Sequence, residues 1–222
     1  ALNFTITMTA FCLGGFLGAK LSKRFGKLSL SEALAPAVDY ARNGYPCSPN
    51  LALMWKRAHN KFLQTCTTPE FDEWYKTFTP DGKAYEAGDI IKLPNHANTL
   101  EAIGATNADA FYKGDIARKI DADSREFGGY IRYEDLAAYE AKWVEPIRVN
   151  YRGYEVCEIP PNGQGIVALM ALNILKEFDF KEKESVDTYH KQLEAIKMAF
   201  ADAFHYVTDP DHMEMDYNRL LD

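Results

Sequence analysis

Apolar positions recur at three- and four-residue steps through most of the first two thirds of the chain, and give way to strict alternation only near Trp143. The helical spacing predicts a helix capped by Ser29 or Ser31, running through Glu32 to Arg42 and stopped by Asn43-Gly44. Pro46, Pro49 and Asn50 mark a loop before a second helix, Leu51 to about Thr65, whose Leu53, Trp55, Phe62 and Leu63 read as core contacts. Thr68-Pro69-Glu70 opens another short helix, and Thr79-Pro80-Asp81-Gly82 carries turn chemistry. A brief extended segment at Gly88–Pro94 precedes helices through Thr99–Ile103, Asp109–Tyr112 and Ile116–Ile120. Gly128-Gly129 then closes the run, and Tyr133–Leu136 starts one more turn of helix.

Alternation over Val144–Tyr151, a turn at Arg152-Gly153 and alternation again over Tyr154–Ile159 predict a β-hairpin. After the loop Pro160-Pro161-Asn162-Gly163-Gln164-Gly165 comes an apolar helix from Ile166 to about Phe178. A charged linker, Lys181–Glu184, leads to an amphipathic helix over Val186–Val207, in which Leu193, Ile196, Phe200 and Phe204 share one face and are expected to meet a core. No internal repeat, low-complexity tract or interdomain linker interrupts this order.

Composition narrows the function classes. The chain has 222 residues, 47% of them hydrophobic, enough to bury a core. Its net charge of −7 opposes phosphate, so nucleic acid and anionic membranes are not expected partners. Cys12, Cys47, Cys66 and Cys157 are scattered, without the spacing of a zinc site or a disulfide framework, and are expected to be reduced thiols. The uncharged run from Phe4 to Ala19 precedes its basic cluster, Lys20, Lys23 and Arg24. That order is the reverse of a signal peptide, and the run is short for a membrane span, so it is expected to be a buried strand and turn leading into a helix. A first residue Ala1 in place of Met implies a boundary upstream made by processing, cloning or fragmentation, and Asn3-Phe4-Thr5 is read as a chance glycosylation triplet.

Several local patterns suggest chemistry and fall short of it. Gly163-x-Gly165-x-x-Ala168 between a strand and a helix matches the dinucleotide fingerprint, but its strand belongs to a hairpin and no acid-tipped second strand follows. His190 and Glu194, one turn apart, lack the remainder of a metalloprotease motif, and Asp209, Asp211, His212, Glu214 and Asp216 lack the glycine and final glutamate of a calcium loop. Cys47, between two prolines, has no local base. No catalytic, cofactor-binding or metal-ligating residue is therefore nominated, and no cofactor is expected.

The order of weak motifs says more than any one of them. Phe25–Leu30 with Glu32–Ala37, Gly88-Asp89, Leu100–Gly104, Ala110–Gly114, Gly128-Gly129, Glu134–Leu136, Tyr151–Tyr154, Pro160–Gly165 and Glu194–Lys197 to Asp209-Pro210 form a series. Together they resemble the large subunit of the gamma-glutamyltranspeptidase family of N-terminal-nucleophile hydrolases. The resemblance implies a helix-rich α+β chain, part of an αββα sandwich, with 1–222 a single incomplete domain: 1–142 mainly helical, 143–222 a hairpin plus two long helices. In that family a proenzyme cuts itself, and the new N-terminal Thr of the small subunit attacks the substrate amide with its own α-amine as base. The resemblance places that Thr, and the arginine that binds substrate carboxylate, outside this chain. Thr67-Thr68 is followed by Pro69-Glu70 where the family's processing point reads Thr-Thr-His, so neither threonine is assigned as nucleophile. The family's Val-Pro-Gly turn is absent before Phe25, and Asn162-Gly163-Gln164-Gly165 stands where transpeptidases usually carry two serines, a form associated with acylases.

These observations lead to a large-subunit segment of an enzyme that cleaves or transfers gamma-glutamyl amides such as glutathione, inactive without its small subunit. Two alternatives are a cephalosporin or glutaryl acylase and a noncatalytic helical scaffold. The expected partners are the small subunit and a small amide substrate. The expected location is cytoplasmic, or periplasmic or secreted if a signal peptide precedes Ala1.

Overall fold

A computed structural model describes residues 18–222, which form two compact units, one ending at Ala141 and the other running from Lys142 to Asp222. The apolar run before residue 18, with its expected strand and turn and with Cys12, lies outside the described residues.

In the first unit a helix over 18–25 (α1) carries the basic cluster. It is followed by α2, Leu30–Asn43. Ser29 caps α2 through a reciprocal pair: its hydroxyl accepts from the Glu32 amide, and the Glu32 carboxylate accepts from the Ser29 amide. Gly44, at φ 100°, ends the helix in a conformation open to glycine, and its missing side chain leaves room for Ile90. Tyr45-Pro46 (β1) then pairs antiparallel with Ile90-Ile91 (β2).

Pro49 and Asn50, expected in a loop, belong to α3, Pro49–Thr65: Ser48 caps it and Pro49 occupies the first turn, where the missing N–H costs nothing. Leu53 and Leu63, expected in the core, are exposed, whereas Trp55 and Phe62 turn inward. They meet Trp74 and Phe78 of α4, Asp72–Phe78, which follows a 3-10 turn at Pro69–Phe71. The Trp55 indole N–H donates to the Phe78 carbonyl at 2.6 Å, satisfying the polar end of the ring.

Helix α5, Pro94–Thr106, packs on α2, and Gly104 lets them approach closely: an added Cβ there would stand 3.0 Å from the Ser31 Cα. Arg42 joins the two helices with a fork onto both carboxylate oxygens of Glu101, at 2.6 and 2.8 Å. Helices α6, Asp109–Tyr112, α7, Asp115–Glu126, and α8, Tyr133–Ala138, complete the unit around Ile103, Phe111 and Tyr112.

The second unit contains the expected hairpin, β3 (Ile147–Tyr151) against β4 (Tyr154–Glu158). Arg152 and Gly153, at φ 54° and 88°, form the left-handed pair that suits the strand twist. Arg152 also lies 5.2 Å from the rings of Tyr151 and Phe180. Ile147 and Val149 point inward onto α9, Gly165–Leu175, which buries Ile166, Val167, Leu169, Met170, Ala171 and Leu175. Helix α10, Val186–Tyr206, packs beside α9.

Of the stripe expected to meet the core, Phe200 does so and the rest does not. The face of α10 that contacts the core is made of small residues, Ala199 and Ala203, with Ala195 and Thr188 buried in line with them. Leu193, Ile196 and Phe204 are exposed, and Phe200 is half-buried. The physical reason is the short interaxial distance that alanines permit: α9 supplies the bulk and α10 the smooth surface. The chain closes with a 3-10 turn, Tyr217–Leu221, held by the Asn173 amide donating to the Leu221 carbonyl at 2.5 Å.

Candidate functional site

The loop from Pro160 to Gly165 is fixed at both ends. Pro160 and Pro161 are buried, so the loop leaves β4 on two residues that need no N–H partner, and Ile166 and Val167 are buried at its far end. Asn162, Gly163 and Gln164 between them are exposed. Gly165 begins α9 directly beneath the Glu158 side chain, and an added Cβ there would be 2.9 Å from the Glu158 Cδ. The Glu158 carboxylate thus lies at the positive end of the helix, where a negative group is favoured.

Beside the loop opens a cleft of about 180 Å3. Asn162 and Gln164 border its polar side, and Phe200, Ala203, Phe204 and Val207 its apolar side. The Phe200 and Phe204 rings stack with centroids 5.5 Å apart. The side-chain amides of Asn162 and Gln164 make no hydrogen bond among the described residues and are available to a ligand. A second, shallower groove of about 260 Å3 runs along Val144, Pro146, Cys157 and Ile159.

The other positions weighed from sequence disperse. The glycine-rich turn is not part of a parallel βαβ unit, since β4 pairs antiparallel with β3, so the arrangement that seats a dinucleotide is missing here. His190 is exposed, and Glu194 is engaged by Lys197 at 2.6 Å, which holds the Glu194 carboxyl below its usual range. Asp209 accepts from the Asp211 amide and lies 3.5 Å from the His212 ring, a local turn. No group of His, Cys, Asp and Glu able to hold a metal occurs among the described residues. Thr67 and Thr68 are exposed, the latter opening the Pro69 turn. Cys47, Cys66 and Cys157 are free thiols; burial pushes the Cys47 thiol up, and Asp89 adds to the effect. No helix among the described residues is long and apolar enough to cross a membrane.

Two features were not visible in the sequence. One is the crossing of Glu158 over Gly165, which joins residues from different elements. The other is His96, half-buried against Phe78 with its Nδ1 buried and unpartnered; burial pushes its pKa down.

The helix-rich fold, with a hairpin delivering a double-proline loop to an apolar helix, matches solved members of the N-terminal-nucleophile hydrolases and is that of a large-subunit portion. The gamma-glutamyltranspeptidase family profile matches residues 17–222, and the chain belongs to that family. It is similar to the glutathione hydrolase-like YwrD proenzyme of Bacillus subtilis, with 36% identity over 90% of this chain and 37% of that protein. It also resembles the glutathione hydrolase proenzyme of Escherichia coli, at 35% identity over 89% of this chain and 34% of the relative. Among solved structures, the cephalosporin acylase of Bacillus halodurans superposes with a TM-score of 0.91 at 47% identity, covering 94% of this chain and 39% of that one. The gamma-glutamyltranspeptidase of Helicobacter pylori gives 0.82 at 30% identity, covering 92% of this chain and 58% of that one. The chain spans little more than a third of the curated relatives described here.

Proposed function

We propose that this chain is a large-subunit segment of an enzyme that cleaves or transfers gamma-glutamyl amides such as glutathione, and that it is inactive alone. The nucleophile in this reading is an N-terminal Thr on a small subunit supplied by the rest of a proenzyme. The observation that carries it is the family match over 17–222, with a glutathione hydrolase proenzyme and a glutathione hydrolase-like proenzyme among the relatives. The free thiols Cys47, Cys66 and Cys157 fit a reducing, cytoplasmic setting.

An acylase specificity is the second reading, favoured by the 47% identity to a cephalosporin acylase and by the Asn162–Gly165 loop that replaces paired serines. One assay separates the two. A gamma-glutamyl anilide and a glutaryl amide are offered to the pure 222-residue chain, then to the chain with the complementary small subunit. No turnover is expected in the first case. In the second, preferential release from the gamma-glutamyl substrate supports the first reading, and preference for the glutaryl amide supports the acylase. Turnover by the chain alone overturns the claim of dependence.

A further inference from the structure

Asn43-Gly44 and Asn162-Gly163 are two copies of one reactive pair, and the fold treats them differently. When glycine follows asparagine, the next backbone nitrogen reaches the side-chain amide carbon with little hindrance, because glycine has no Cβ in the way. Asn43 and Asn162 are both exposed, so water reaches each of them. Restraint is what separates them. Asn43 is the last residue of α2, its amide donates to the Asp39 carboxylate at 2.6 Å, and the Gly44 nitrogen donates to the Tyr40 carbonyl at 2.9 Å. Asn162 lies in a loop, its amide has no hydrogen bond among the described residues, and the space where a Gly163 side chain would stand is empty to 4 Å.

We propose that Asn162 is a site of spontaneous modification, at which the loop closes on itself and turns an amide on the rim of the cleft into a carboxylate. The Gly163 nitrogen loses its proton to water and attacks Cγ of Asn162. The new N–Cγ bond closes a succinimide ring, the Cγ–Nδ2 bond breaks, and Nδ2 leaves as ammonia. Water then adds to either ring carbonyl, giving aspartate where the N–Cγ bond breaks and isoaspartate where the backbone C–N bond breaks. One water is consumed and one ammonia released, with no change of oxidation state. Asn162 and Gln164 form the polar border of the cleft opposite Phe200 and Phe204. After conversion that border holds an acid and an amide, so a ligand group of negative charge, accepted beside two neutral amides, is repelled. The isoaspartate form also inserts a methylene into the backbone of a loop whose flanks, Pro161 and Ile166, are buried. The reaction needs only water and is independent of the enzyme's own activity.

Peptide mapping by mass spectrometry tests this on the folded 222-residue chain held in mildly alkaline buffer, with digestion in acid, where ring closure is slow. Asn162 is expected to convert about tenfold or more faster than Asn43, whose attacking nitrogen and amide are released only by local opening. In urea the two rates should converge, since the restraint is then gone from both. Asn162→Gln is expected to abolish conversion at that position, because glutamine needs a larger ring. Gly163→Ala should slow it about tenfold or more while leaving the fold intact, as the added methyl enters empty space. Equal rates at the two positions in the folded chain overturn the proposal. So does an Asn162 that stays unchanged over the time in which the urea-unfolded chain converts. Aspartate formed without any isoaspartate overturns it too, since direct hydrolysis bypasses the ring.

Discussion

Glu158 lies across Gly165 so closely that the last residue of β4 and the first of α9 leave no room for a side chain between them: an added Cβ would stand 2.9 Å from the Glu158 Cδ and 3.0 Å from its Cβ. The hairpin and the helix that carry the Asn162–Gln164 loop are registered by this contact. Gly165→Ala is expected to destabilise the second unit by about 1–3 kcal/mol, the usual range for overpacking. Glu158→Ala should recover part of the loss and no more, because its own Cβ remains in the way. A double-mutant cycle on denaturant midpoints measures the coupling, and an additive result would show that the contact is slack.

Gly104 poses the same question inside a helix, where two effects compete. Alanine is favoured over glycine by about 1 kcal/mol in a helix interior. Against that, the new Cβ meets the Ser31 Cα at 3.0 Å, a backbone atom that cannot rotate aside. Gly104→Ala is expected to be net destabilising by about 1 kcal/mol. A gain in thermal midpoint would mean that α2 can slide away from α5.

Removing the cap of α2 should be felt at neutral pH and fade in acid. Ser29→Ala is expected to cost about 1 kcal/mol. The Ser29 hydroxyl and amide hold the Glu32 carboxyl below its usual range. A carboxyl depressed in the fold contributes stability above its unfolded value, about 4.3, and loses it as the pH falls through the folded value. Urea unfolding of both proteins at pH 7 and pH 3 should show the difference between them shrink at the lower pH. A difference that is constant with pH would disconnect Glu32 from the cap.

His96 supplies a second pH dependence at a higher range. Burial lowers its pKa, so the folded protein holds it neutral while the unfolded chain takes up a proton. The stability it contributes is complete above about 6.5 and is lost as the pH falls through the lower folded value. His96→Leu keeps an apolar contact with Phe78 and removes the titration. Unfolding midpoints measured from pH 8 to pH 5 should therefore fall less steeply in the variant, and parallel curves would contradict the assignment.

Local signals in the sequence located most elements because each was carried by residues close together. Ser29 with Glu32, the Arg152-Gly153 turn and the glycines at 128 and 129 announce their own caps and turns. The edges moved where a proline had two meanings: Pro49 reads as a loop, yet the first turn of a helix accepts it equally well. On α10 only Phe200 of the expected stripe rests on the core, and the shift has a different origin. Periodicity finds an apolar line but cannot say whether the helix rests on that line or on the alanines beside it, since alanine scores weakly as apolar and strongly as a close-packing surface. The loop at 160–165 was legible as a glycine-permitted turn. Its relation to Glu158 and to Phe200 and Phe204 was not, because those contacts join separate elements.

Ala203 is shared between the core and the wall of the cleft. The gap that α10 keeps from α9 is therefore also a gauge for the opening bordered by Asn162 and Gln164. A larger residue there would press on the α9 core and, since Ala203 itself lines the cleft, would reshape that wall at the same time. One methyl group thus sets both how closely two helices pack and how much space the cleft beside them keeps.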